Sequence, residues 1–293
     1  MNFKITLSFL IYIIVLASIT WLYKYQQISP ILIVPYKVQT DWSYEPIGCW
    51  NSQSMDSNLS TNCQLDDSMD NILLFGDSHA SQLVLGFENL LKTTQAPSSK
   101  KIILLTSSLM KGHWPSPHFF DSSQVKFISS VLAETSKNDV IIFTVSSQHV
   151  KDSVYGNLKQ KGRLSISLAK LLASILYTQP INGKIILMLD TPHLKNDVAR
   201  ICYREEGYKN KLCKLNYDDY MLQNSYLIEA YDYLKTLPIN PSNEPIVLDP
   251  TPSFCNLKEC SLFDESGFML IDGNHIKMSV SHKLVKELFI GVI

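Results

Sequence analysis

Five short runs of aliphatic and β-branched residues, at 72–75, 101–106, 140–145, 184–189 and 245–248, constrain the fold of this chain more than anything else in it. Each is apolar nearly throughout, as a strand covered on both faces must be, and longer amphipathic stretches separate them. That alternation predicts a mostly parallel central sheet with helices on both faces, a three-layer α/β/α sandwich. The expected helices are 80–92, 124–137, 164–178, 217–236 and 277–289. In the third, Leu168, Leu171, Leu172 and Leu176 recur at helical spacing and read as core.

Ligands on such sheets bind beyond the carboxyl ends of the strands, and the polar residues fall there. Asp77 and Ser78 follow the first run, Ser107 and Ser108 the second, Ser146 to His149 the third, Asp190 the fourth and Asp249 the fifth. The first run passes directly into Gly76-Asp77-Ser78-His79-Ala80, which places a serine hydroxyl in a tight glycine turn. A serine attacks a carbonyl only with a base within reach and donors for the oxyanion that forms. Glycine permits the bend, and a helix starting near Ala80 would aim its amino-terminal N–H groups at the developing charge. Asp77 or Ser78 would equally serve as an ordinary helix cap, so the segment alone leaves both readings open.

Far downstream, Asp272-Gly273-Asn274-His275 supplies a carboxylate three residues before an imidazole. A carboxylate there holds one ring nitrogen as donor and leaves the other to accept a serine proton. Asp190 and Asp249 are the competing carboxylates, and Asp272-Gly273-Asn274 also reads as a plain turn before the last helix. His79, next to the serine, reads as a packing or hydrogen-bonding partner rather than the base. The histidines at 113, 118, 149, 193 and 282 read as structural or surface residues. Trp42, Tyr44 and Trp50 read as packing beside Cys49.

A chain of 293 residues with 45% hydrophobic content has ample core for a folded domain, and its net charge of −1 leaves no basic surplus for nucleic acid. Residues 5–23 form an uncharged, mostly apolar run between Lys4 and Lys24. At ~1.5 Å per residue such a helix matches a hydrocarbon core of ~30 Å. It reads as one membrane span in an anchor over 1–25, because it exceeds the ~7–15-residue apolar region of a cleaved signal. Residues 26–70 are rich in Ser, Asn, Asp and Pro and read as a linker and irregular extension, with the domain proper over 71–293. All six cysteines follow the span. Proximity pairs Cys49 with Cys63, Cys202 with Cys213, and Cys255 with Cys260, and disulfides place the body outside the cytoplasm. No zinc-knuckle spacing is present, so neither metal nor cofactor is expected.

Taken with the blocks Gly76-Asp77-Ser78-His79 and Asp272-Gly273-Asn274-His275, the sequence resembles the SGNH (GDSL-like) hydrolase superfamily. More closely, it resembles the extracytoplasmic SGNH domains that follow the acyltransferase type 3 module in bacterial surface-polysaccharide O-acetyltransferases. Asp249-Pro250 before Cys255 and Cys260, and Pro192 before Cys202, extend the likeness, which runs from about Cys49 to the carboxyl end. The resemblance implies a flavodoxin-like sheet with Ser78 as nucleophile, His275 as base and Asp272 as its orienting acid. It implies transfer of acetyl groups onto, between or off the hydroxyls of a cell-envelope glycan, through an acetyl-serine. Standard members place a glycine after the second strand and an asparagine after the third in the oxyanion hole. Here Ser107, Ser108 and Gly112 stand near the first place and Ser146, Ser147 and Gln148 near the second, so Ser78, Ser107 and Gln148 are the expected donors.

In the family it resembles, such domains sit behind many spans, whereas one is read here. The resemblance therefore implies either a separate multi-span acyltransferase as acetyl donor or action alone as an esterase. The implied location is the bacterial inner membrane, single-pass, with the domain in the periplasm or at the cell exterior. Two rivals remain at this level: an α/β-hydrolase esterase built on a G-x-S-x-G-like elbow, and a non-catalytic glycan-binding or scaffold domain on the same fold.

Overall fold

The computed structural model describes residues 65, 70–93, 100–106, 122–147, 161–177, 180–203, 209–256, 258–265 and 267–291. All lie in one compact unit, 44–293. The strands are β1 (Asp70–Gly76), β2 (Lys100–Thr106), β3 (Val140–Thr144), β4 (Lys184–Met188), β5 (Leu215–Asn216), β6 (Ile246–Leu248), β7 (Glu259–Cys260), β8 (Phe263–Asp264) and β9 (Gly267–Phe268). The helices are α1 (Ser78–Ser81), α2 (Val84–Thr93), α3 (Ser122–Ala133), α4 (Lys161–Tyr177), α5 (Asn196–Cys202), α6 (Tyr217–Leu234), α7 (Thr251–Phe254) and α8 (Met278–Phe289).

The five apolar runs form one sheet in the order β2-β1-β3-β4-β6, and every pairing in it is parallel. Side chains alternate along each strand, so the inner strands feed both layers. At the sheet edge, β6 packs Leu248 inward and leaves Ile246 and Val247 exposed, contrary to the two-sided cover expected of its run. Ile72, Leu74, Ile142, Ile186 and Met188 face one layer, with Leu83, Phe87 and Leu90 near α2 and Val280, Leu284 and Phe289 of α8. Leu73, Phe75, Ile141, Phe143, Ile185 and Leu187 face the other, against α3, α4 and α6. Of the expected core leucines, Leu168, Leu172 and Leu176 are buried and Leu171 packs at the margin. The strand order reverses between β2-β1 and β3-β4-β6, and such a switch point opens a crevice at the carboxyl ends.

The helices depart from those expected in three places, the short α7 among them. The helix expected over 80–92 is broken into α1 and α2. At the break the carbonyl of Gln82 accepts a hydrogen bond from Ser281 Oγ at 2.6 Å, and the Gln82 side chain is turned toward Ile276. Helix α5 was not anticipated; its seven residues are too few to carry a periodic signal. It is pinned by the Cys202–Cys213 disulfide, and Cys255–Cys260 closes a second short loop beside the small β5-β7 ladder. Both pairs are those expected from proximity; Cys49 and Cys63 lie outside the described residues. Among the described residues no helix is long and apolar enough to cross a membrane, and the expected span at 5–23 lies outside them.

Candidate active site

Ser78 is placed by the way β1 ends. At Gly76, φ is +157°, and a Cβ there would stand 1.8 Å from the carbonyl oxygen of Thr144 on β3. Only glycine fits so close to the neighbouring backbone. Asp77 then caps α1, its Oδ1 accepting the His79 N–H at 2.8 Å while Oδ2 accepts the Ser146 N–H at 2.9 Å across the switch point. The capping function therefore falls to Asp77, and Ser78, half-buried, opens the helix. At four residues, α1 is shorter than the helix expected to aim its dipole at the site.

His275 arrives on the turn before α8. Leu270 and Ile276 form an antiparallel bridge, and Ile271 N–H donates to the His275 carbonyl at 2.7 Å, which closes the turn. Inside it, Asp272 Oδ1 accepts the N–H groups of Asn274 and His275, both at 2.8 Å. Asp272 Oδ2 lies 2.7 Å from His275 Nδ1, and His275 Nε2 lies 2.8 Å from Ser78 Oγ, across 197 residues of chain. With the carboxylate on Nδ1, that nitrogen carries the proton, and Nε2 presents its lone pair to the serine hydroxyl. Burial would raise the Asp272 pKa, but the His275 hydrogen bond and charge and the two backbone donors hold it below the usual carboxylate range. The turn is moored to α1 by Gln82, whose Oε1 accepts the Ile276 N–H at 3.0 Å. Close packing of α2 on α8 completes the mooring: a Cβ at Gly86 would lie 2.6 Å from the Ser281 carbonyl.

The competing carboxylates are engaged elsewhere. Asp249 accepts the Thr251 N–H at 2.8 Å at the start of α7. Asp190, just beyond β4, lies 2.5 Å from Nδ1 of His79, with both side chains fully buried. Its carboxylate also accepts the N–H groups of Ser147 at 2.7 Å and Thr191 at 2.8 Å, while its backbone is held by Asn224 and Tyr220. His79 is thus a hydrogen-bonding partner rather than the base facing Ser78, as its position in the turn suggested. Sequence reading did not anticipate its pairing with Asp190, because the two are 111 residues apart.

Of the expected oxyanion donors, Ser107 and Gln148 lie outside the described residues. Ser146 and Ser147 are fully buried, their backbone N–H groups committed to Asp77 and Asp190. Among the described residues, no cluster of His, Cys, Asp and Glu could hold a metal ion.

A family model described as "SGNH domain (fused to AT3 domains)" matches residues 48–289. Among solved structures, the chain is similar to the periplasmic domain of a lipopolysaccharide acetyltransferase from Salmonella ser. Paratyphi A. The TM-score is 0.50 and the identity 15%, with 79% of this chain and 86% of that one covered. It is also similar to an aryl esterase of M. smegmatis, with TM-score 0.42, 13% identity, and coverage of 76% and 98%. A carbohydrate acetylesterase family member from Sinorhizobium meliloti gives TM-score 0.40 and 14% identity, with 76% and 97% covered. No curated protein matches in sequence. The family match spans most of the chain and contains both hydrogen-bonded blocks, and the chain belongs to the SGNH domain family described as fused to AT3 domains.

Proposed function

We propose that this protein is a serine-dependent acyl-transfer enzyme, an O-acetyltransferase or acetylesterase acting on a cell-envelope polysaccharide. The observation that carries the reading is the hydrogen-bonded succession Ser78 Oγ, His275 Nε2, His275 Nδ1 and Asp272 Oδ2. Ser78 Oγ attacks an acetyl carbonyl carbon as its proton passes to His275 Nε2. The tetrahedral oxyanion then collapses, and the departing oxygen takes that proton, leaving an acetyl-serine. In the second half the incoming hydroxyl gives its proton to His275 and attacks the ester carbonyl, and as that tetrahedral intermediate collapses His275 passes the proton to Ser78 Oγ. Asp272 keeps its charge throughout and stabilises the imidazolium formed in each half. A sugar hydroxyl as acceptor makes a transferase; water makes an esterase. Exclusion of water and alignment of the sugar decide between them.

In this reading residues 1–25 anchor the protein in the inner membrane, 26–70 form a tether, and 71–293 work in the periplasm or at the cell exterior. The two disulfides support an oxidising compartment. The neighbouring lipopolysaccharide acetyltransferase domain supports a glycan acceptor, and the AT3 fusion in the family description supports a membrane acyltransferase as donor.

The test is labelling of the full-length chain with a serine-directed fluorophosphonate, read by peptide mass. Wild type labels at Ser78, while Ser78→Ala and His275→Ala do not. Labelling at another serine, or equal labelling of all three proteins, overturns the assignment.

A further inference from the structure

Starting at the residue after Ser78 is a second histidine–aspartate pair that the acyl-transfer steps do not use. His79 and Asp190 are 0% and 1% exposed, and their nitrogen and oxygen are 2.5 Å apart. The His79 ring is 5.2 Å from that of His275, centroid to centroid. Its other nitrogen, Nε2, lies 3.3 Å from the amide nitrogen Nδ2 of Asn274, inside the turn that carries Asp272 and His275.

We propose that His79 and Asp190 form a buried imidazolium–carboxylate pair that positions the Asp272–His275 turn against Ser78 through Asn274. The inference rests on the acyl-transfer reading and adds two positioning residues to it.

The geometry explains why these two residue types are needed. Asp190 gathers N–H groups from Ser147 and Thr191, so its carboxylate ties the loop after β3 to the loop after β4. His79 follows the nucleophile directly in sequence, so a ring fixed by Asp190 also fixes the backbone that carries Ser78. A charged ring donates from both nitrogens, Nδ1 to Asp190 and Nε2 toward Asn274, whose amide must then present Oδ1 where the structure places Nδ2. A neutral ring bonded to Asp190 through Nδ1–H would instead accept at Nε2 from Asn274 Nδ2 as placed, so the amide orientation reports the charge of the ring. Burial disfavours the charge on His79. The charge and hydrogen bond of Asp190, with the further carboxylates of Asp77 and Asp272, outweigh it and raise the pKa to about 9. Burial likewise works against the Asp190 anion, yet the His79 charge and hydrogen bond, the His193 charge and the Ser147 N–H keep it ionised below the usual carboxylate range. The ends of three neighbouring strands and the last turn thus meet on one pair.

The experiment measures fluorophosphonate labelling of Ser78 and turnover of an aryl acetate in full-length wild type, His79→Gln, Asp190→Asn and the double variant. Each variant is expected to label and turn over about 100-fold more slowly, with KM changed less than about threefold, as misplacement of a catalytic group predicts. The double variant should fall no further than either single one, because the residues act as a unit. In parallel, nitrogen-15 spectra of histidine-labelled wild type should show His79 protonated on both ring nitrogens at neutral pH. The proton shared by Asp272 and His275 should shift in His79→Gln. Wild type that fails to label at Ser78 removes the acyl-transfer reading, and this role with it. Wild type that labels normally while His79→Gln labels at an equal rate overturns the positioning role alone. Should the variants not fold, a His79 found neutral in wild type overturns the proposal.

Discussion

Two histidine–aspartate pairs stand side by side in this molecule, yet their surroundings differ. His275 and Asp272 are three residues apart on one turn, and their side chains are 16% and 34% exposed. His79 and Asp190 come from the ends of different strands and are sealed from solvent. In the exposed pair one ring nitrogen is bound by the carboxylate and the other faces Ser78, so a proton has somewhere to go. In the buried pair both nitrogens are engaged by the protein, so a proton there is locked in. The same two residue types therefore support proton traffic in one place and fixed charge in the other, and burial makes the difference.

If that contrast is right, the two aspartates should rank in opposite order for turnover and for stability. Asp272→Asn should cost about 10^4-fold in turnover, the loss seen when a triad histidine is held in the wrong tautomer. It should leave folding within about 1 kcal/mol, since the pair is partly solvated. Asp190→Asn should cost far less turnover but about 3 kcal/mol of stability, because the amide presents a donor to either His79 or Ser147 and strands a buried polar group. Denaturant titration beside ester turnover checks both orders, and equal rankings would break the comparison.

The pH dependence of stability sharpens it next. The His79 pKa is raised from 6.5 to about 9 on folding. Its contribution is therefore fully present below the unfolded value and lost as pH rises through the folded one. Stability read from thermal unfolding should fall between pH 6.5 and about 9 by on the order of 3 kcal/mol, and Asp190→Asn should flatten that slope. Asp272, whose pKa is lowered from 3.8, acts at the other end, its contribution lost as pH falls below that value. A stability curve indifferent to pH above neutrality would mean that His79 folds uncharged.

What the sequence made legible follows the same division between local and distant. β1, β3 and β4 could be read because they are buried on both faces and so written as nearly uninterrupted apolar runs, and β6 is as apolar although it lies at the sheet edge with Ile246 and Val247 exposed. β1 nevertheless extends past its run to Asp70, where Asn71 is held by Asp139 through its backbone N–H and its side-chain amide. Asp272 with His275 could be read because their contact is local, and the two short disulfides for the same reason. His79 with Asp190, Gln82 with Ile276, and the break between α1 and α2 depend on elements that meet only after the chain has folded. No spacing in the sequence encodes them.

The smallest effect concerns how the exposed pair borrows rigidity from the interior. Tyr203, at the end of α5 beside the Cys202–Cys213 disulfide, packs edge-on against Phe268 and donates its hydroxyl to the Leu270 carbonyl at 2.6 Å. Leu270 opens the turn that bears Asp272 and His275. Burial and the nearby Asp272 charge push the Tyr203 phenol far above its ordinary pKa, so it donates at every pH at which the protein is folded. Tyr203→Phe keeps the ring and its packing while leaving one carbonyl without its donor, a loss of about 1 kcal/mol. Because Gln82 still holds Ile276 from the other side, turnover should fall less than about tenfold. A far larger loss of turnover at unchanged stability would mean that the turn is aligned from α5 rather than from the buried pair.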